Sequence, residues 1–218
     1  MRALRIFGKL LISVGVGVLF FVAWTLWGTG VYTGQQQDDL RTQYDQLPSV
    51  EFADQEDKDL GPARLPGPSD AAFVLKMPSI DFDWVVVEGV GTEDLKNGPG
   101  HYPACRDGFE RPLCTEFKEV WPGQEGRVIV SGHRTTYGRP GELGGPFYRL
   151  DELKPGDEII TQTKWGEFTY EVTETRIVQP DSLAIAIQSD AAEIVLTTFN
   201  PKYSAAQRLI VFGRLVTT

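Results

Sequence analysis

LTTFNPKYSAAQRLIVFG, residues Leu196 to Gly213, decides how this chain is read. Its first residues continue a run rich in apolar and β-branched side chains, Glu193–Thr198, and its last residues open a second run, Arg208–Val216. A loop holding Pro201 and Ser204 joins them. Phe199 directly follows the first run and Arg208 starts the second. Working outward, similar short runs occupy Ala72–Met77, Trp84–Gly89, Arg127–Ser131, Glu158–Thr163 and Glu167–Val178. FTYEVTETRIV, from Phe168, alternates apolar and polar residues as a half-buried strand does. KPGDEI from Lys154 and KWGEF from Lys164 are turn signals between runs. Only Thr92–Lys96 and Phe147–Leu153 read as short helices. The class is therefore all-β, and the pattern fits a closed barrel or a sandwich equally well.

The other end of the chain has a different character. Arg2, Arg5 and Lys9 precede an uncharged apolar run from Leu10 to Trp27, extended by GTGVY to Tyr32. The run is about as long as a bilayer crossing requires and longer than the apolar part of a signal peptide. Basic residues before it, with Asp38 and Asp39 after it, predict a cytoplasmic N-terminus and an external remainder. Trp24, Trp27 and Tyr32 suit the outer interface. The predicted organisation is a basic cytoplasmic segment over 1–9, a transmembrane signal anchor over 10–32, a stalk and linker over 33–70, and a folded domain over 71–218. Within the stalk, Leu40, Tyr44 and Leu47 give a weak helical spacing over Gln35–Leu47. Glu51–Ser69 is acidic and rich in Pro and Gly, which reads as a flexible linker.

The formal net charge is −9. That balance argues against nucleic acid as a partner, because phosphate binding needs clustered Lys and Arg. The two cysteines, Cys105 and Cys114, fall in the external part, where disulfides persist. A bond between them would close a loop of about ten residues and contribute about 2.5–3 kcal/mol in the chain-entropy model. Two cysteines without a second pair do not make a metal site. No cofactor is expected.

Chemistry can come from few residues. The chain has two histidines. His133, in VIVSGHRTTYG, follows an apolar strand and so lies at a strand end, where a side chain can reach a cleft. His101, in GPGHYP, is expected to be a hydrogen-bonded structural residue.

GPGHYP (Gly98–Pro103), SGHRTTYG (Ser131–Gly138), FYRLDELKPGDEI (Phe147–Ile159) and TTFNPKYSAAQRLIV (Thr197–Val211) together resemble the sortases, the membrane-anchored cysteine transpeptidases of Gram-positive bacteria. The opening MPSIDFDWVVVEGVGTEDLKNGPGHYP, from Met77, resembles the class E type of actinobacteria. The resemblance covers about residues 71–218 and implies an eight-stranded β-barrel with short helices and a groove for an LPxTG- or LAxTG-like sorting signal. It also implies a thiolate that attacks the sorting signal's Thr carbonyl, a histidine that exchanges protons, and an arginine that holds the substrate carbonyl or oxyanion. By position, His133 matches the histidine and Arg208 the arginine. Phe199 stands where the family places its cysteine, and a phenyl ring has neither a lone pair to attack with nor a proton to lose. Thr198, Tyr137 and Asn200 are the candidate contacts to a bound peptide. The expectation is a pseudosortase that binds a sorting-signal peptide, an active sortase or another cell-envelope protein. The competing expectation is an enzyme with an unorthodox nucleophile, for which Thr198, Ser204 or a reduced Cys105 would be the candidates.

Overall fold

The computed structural model describes residues 2–24, 29–49, 60–135, 138, 144–181 and 189–217. Two helices come first, α1 (Arg2–Ala23) and α2 (Thr29–Gln46). The strands are β1 (Ala71–Met77), β2 (Phe82–Glu88), β3 (Gly100–His101), β4 (Gly126–Ser131), β5 (Glu158–Thr163), β6 (Gly166–Val178), β7 (Ala192–Asn200) and β8 (Gln207–Thr217). A third helix, α3 (Thr92–Asn97), lies between β2 and β3. The segment Phe147–Leu153, expected to be helical, contains only a 3₁₀ turn at Leu150–Glu152.

The strands close into a barrel in the order β1-β2-β3-β4-β7-β8-β6-β5, with β5 returning to β1. A closed barrel leaves no sheet edge, which settles the choice against a sandwich. The β2–β3 and β4–β7 pairs are parallel and the others antiparallel. Alternate residues point inward, as the strand period requires. Phe73, Leu75, Trp84, Val86, Val128, Val130, Tyr170, Ile194, Leu196 and Val211 belong to one buried core. The alternation read from Phe168 places Phe168, Tyr170 and Val172 inside.

β1 and β2 do not alternate: AAFVLKM and FDWVVVE are buried almost throughout. The reason is α2. Leu40 and Tyr44 of this helix cover Val74, Val85 and Val87 on the barrel's outer surface. The buried Gln37 side chain acts as a strand partner for β2, since its Oε1 accepts from the Val85 amide at 2.9 Å and its Nε2 donates to the Val85 carbonyl at 3.1 Å. The same Nε2 donates to the Asn97 carbonyl at 2.7 Å, tying α2 to the end of α3. Tyr44 donates to the Gln162 carbonyl on β5 at 3.0 Å, and Arg41 pairs with Asp83. The segment expected as a stalk is thus packed onto the domain, and it begins earlier: Thr29–Tyr32, read as the end of the membrane span, are the first turn of α2.

Leu60–Asp70, read as the end of a loose linker, is also held down. Leu60 packs against the core and its carbonyl accepts from Gln124, while the Pro66 carbonyl accepts from Arg106 at 3.0 Å. Residues 51–59 of that linker lie outside the described residues. In α1, Arg5–Ala23 forms a helix long and apolar enough to cross a membrane, and none of it is buried in the fold.

Candidate active site

The site is assembled at the ends of β4 and β7, which run side by side with Ser131 opposite Thr197. Past this pair the ladder continues into the loop. The Gly132 amide donates to the Thr197 carbonyl at 3.1 Å, and Thr198 Oγ1 donates to the Gly132 carbonyl at 2.7 Å. A side chain at Gly132 would meet the Phe147 ring at 2.7 Å, so only glycine lets the loop pass there. The next residue, His133, is fixed by its carbonyl, which accepts from the Phe147 amide at 3.0 Å. On the other side of β7, Phe199 is the register partner of Arg208 on β8.

His133, Thr197, Thr198, Phe199 and Arg208 line one cleft of about 410 Å³. Val90, Thr92 and Leu95 form its side toward α3, and Tyr102 and Leu113 form another. Burial lowers the His133 pKa below the ordinary imidazole value, so the ring is neutral at pH 7 and able to accept a proton. Arg208 donates to the Ala205 and Gln207 carbonyls at 3.1 and 3.2 Å. Its guanidinium stands 4.4 Å from the centre of the Phe199 ring, a cation–π contact. A second hollow of about 480 Å³, between the end of α2, the Pro62–Gly67 segment and Trp165, contains neither His133 nor Arg208. The smaller cleft is the one that gathers groups able to do chemistry.

The candidate peptide contacts fare differently. Thr198 borders the cleft but is buried, with its hydroxyl committed to Gly132. Asn200 is part of the support rather than the lining: its Oδ1 accepts from Arg134 at 2.7 Å and its Nδ2 donates to Gln207 at 3.1 Å. Tyr137 lies outside the described residues. Ser204 sits in the β7–β8 loop, with its oxygen accepting from the Ala206 amide at 3.2 Å. Cys105 and Cys114 form a disulfide with an S–S distance of 2.04 Å, so neither is a free thiol.

Two residues of the site escaped the sequence reading. Thr197 shares Phe199's face of β7, and its Oγ1 is buried without a hydrogen-bond partner among the described residues. Period-two counting back from Phe199 finds it. Arg134, next to His133, is buried and donates to the Phe199 carbonyl at 3.1 Å as well as to Asn200, and pairs with Asp151 at 2.9 Å. It clamps the end of β7 to the His133 loop.

The sequence model of the Sortase domain matches residues 75–216, most of the chain and the barrel from within β1 to one residue short of the end of β8. The chain belongs to the sortase family. It is 33% identical to sortase D of Bacillus subtilis over 156 residues, covering 70% of this chain and 67% of that one. It is 27% identical to sortase SrtE1 of Streptomyces coelicolor over 228 residues, covering 98% of this chain but only 57% of the relative. In fold it resembles a Clostridium perfringens sortase D5 transpeptidase (TM-score 0.58, 22% identity, 84% of this chain and 97% of that one). It likewise resembles sortase E1 of Streptomyces coelicolor, solved with a tripeptide in its active site (TM-score 0.55, 24% identity, 70% of this chain and 92% of that one).

Beneath the cleft wall, this sortase barrel buries a charged cluster that the sequence did not announce. His101 Nδ1 lies 2.8 Å from Glu88 Oε2, and its Nε2 donates to the Val120 carbonyl at 3.0 Å. Arg106 donates to Glu88 Oε1 at 2.9 Å and to Glu119 Oε1 at 3.3 Å. Burial pushes the Glu88 carboxyl up to about 7, against the pull of His101. Burial would lower His101, but the charge and hydrogen bond of Glu88 outweigh it, and the net shift is upward. Glu88, His101 and Glu119 place ligand atoms within 4.8 Å of one another, as a metal site would. Arg106 already stands among them as their cation, and both His101 nitrogens are engaged, so the cluster is an ion network that anchors β2, β3 and the loop after β3. His101 is therefore structural, as expected.

Proposed function

We propose that this protein is a membrane-anchored, class E-like pseudosortase: it binds a sorting-signal peptide of LPxTG or LAxTG type, or an envelope partner presenting one, and does not cleave it. The observation that carries this reading is Phe199 in the cleft that His133 and Arg208 also line. Transpeptidation in this family needs a thiolate that attacks a carbonyl and is later displaced by an amine. A phenyl ring supplies neither step. Both cysteines of the chain are consumed in the disulfide, and the hydroxyl of Thr198 is directed to a carbonyl rather than to a base. The remaining parts are those of a binding site. His133 can accept a hydrogen bond, and the cleft is lined by apolar groups that suit an extended peptide.

The test uses the full chain in detergent, LPxTG and LAxTG peptides, and an amine acceptor. The expected result is peptide binding without cleavage, and no mass increase of the protein. A covalent acyl adduct on the wild-type chain would make it an enzyme with another nucleophile. Phe199→Cys is the complementary variant. With His133 and Arg208 in place, it is expected to gain measurable peptide cleavage.

A further inference from the structure

The loop Pro103–Val120, between β3 and β4, does more than connect strands. Its root is fixed from below. Arg106 reaches into the buried Glu88–Glu119 cluster, and its guanidinium covers the buried Phe109 ring at 4.5 Å. Backbone bridges join Ala104 to Thr115 and Arg106 to Phe109. Beyond these the loop has no strand ladder. Its outer part is restrained by the Cys105–Cys114 disulfide, by Tyr102 Oη donating to the Pro112 carbonyl at 2.5 Å, and by the Leu113 amide donating to the Glu110 carbonyl at 2.9 Å.

The residue next to the disulfide is Leu113. It is 45% exposed. It lines the same cleft as His133 and Phe199, and its Cδ1 overhangs the β2–α3 turn, 3.5 Å from where a Cβ on Gly91 would stand. Tyr102, whose hydroxyl holds the loop at Pro112, lines the cleft beside it.

We propose that Leu113 is a specificity-determining residue of the cleft: the disulfide-closed loop holds it as an apolar wall that sets the cleft's width and contacts an aliphatic side chain of the bound peptide. The role of the disulfide is positional. It ties the tip of the loop to its pinned root, so that the wall is present before a ligand arrives. The peptide part of this proposal rests on the reading of the cleft as a peptide groove, whereas the width-setting part does not.

The experiment separates the two. Phe199→Cys in the full chain, in detergent, puts a reactive thiol on the cleft floor. Its modification rate is measured with N-ethylmaleimide and with a bulky maleimide dye, so that the electrophile is the same in both and the ratio of rates reports width independently of thiol reactivity. The bulky reagent is expected to be slower by about tenfold, and this gap to close to roughly threefold when Leu113→Ala is added. Replacing both Cys105 and Cys114 by serine in the Phe199→Cys background is expected to close it likewise. An unchanged ratio in the Leu113→Ala variant, which keeps the disulfide, overturns the proposal even where the serine variant fails to fold. In parallel, Leu113→Ala in the wild-type background is expected to weaken LPxTG-peptide binding about tenfold. Wild-type protein that binds no peptide defeats the groove reading, and the rate ratio still decides whether Leu113 sets the width.

Discussion

The guanidinium of Arg208 lies 4.4 Å from the centre of the Phe199 ring, its partner across the β7–β8 ladder. The contact covers one face of the guanidinium with a hydrocarbon ring. It also explains how an aromatic ring can sit at 39% exposure over the cleft floor and remain ordered.

Phe199→Ala should therefore cost little stability, about 1 kcal/mol from the lost contact and partial burial. Phe147→Ala, which removes a fully buried ring from the core, should cost about 3–5 kcal/mol. Denaturant unfolding of the two variants checks the contrast. Comparable losses would mean that Phe199 is a core residue rather than a floor residue.

Arg134→Met should destabilise the protein by about 2–3 kcal/mol, because the Phe199 carbonyl and the Asn200 amide oxygen lose their donor. Arg134→Lys should not restore it, since one ammonium cannot reproduce the fork that spans Phe199, Asn200 and Asp151. Thermal unfolding gives the ranking, and amide exchange at the end of β7 gives the location.

The Glu88–His101 pair makes stability depend on pH. Both groups hold their proton more tightly folded than unfolded. The folded state thus binds more protons above the ordinary carboxylate range, and stability must fall as pH rises. The His101 share is fully present below pH 6.5 and is lost as pH climbs through its raised value; the Glu88 share is lost between 4.5 and about 7. Melting temperature should accordingly decline from pH 5 to pH 8. Glu88→Gln should flatten that decline, and a slope unaltered by it would place the titration elsewhere.

Gln37→Ala should expose the Val85 amide and carbonyl to a partnerless interior. A loss of about 2–4 kcal/mol is expected, along with much faster hydrogen exchange at Val85. Gln37→Glu keeps the acceptor and loses the donor, so it should protect the Val85 amide while releasing Asn97.

The strands were legible where a run had an apolar face and turn residues at its ends, and β6 is the clearest case. β3 was not, because two residues carry no period. His133, Phe199 and Arg208 could be placed from motifs, and the structure brings them to one cleft. Arg134 and the Glu88–His101–Arg106–Glu119 cluster could not. Their partners lie 13 to 66 residues away, and nothing local marks a charge as buried. The docking of α2 did leave a trace. Leu40, Tyr44 and Leu47 gave its apolar stripe, while β1 and β2 lacked the polar residues that a solvent-facing outer surface would show. Each half was visible, and only the fold joins them.

That docking fixes more than a helix. Five peptide links separate Trp24 from Thr29, a reach of at most about 18 Å. Past that point α2 is clamped to β2 and to the end of α3, whose Thr92 and Leu95 border the cleft. Were α1 seated in a bilayer, that reach would be the whole of the barrel's leash. Its mouth would then stay near the lipid, and whatever it grips would have to be delivered to that level.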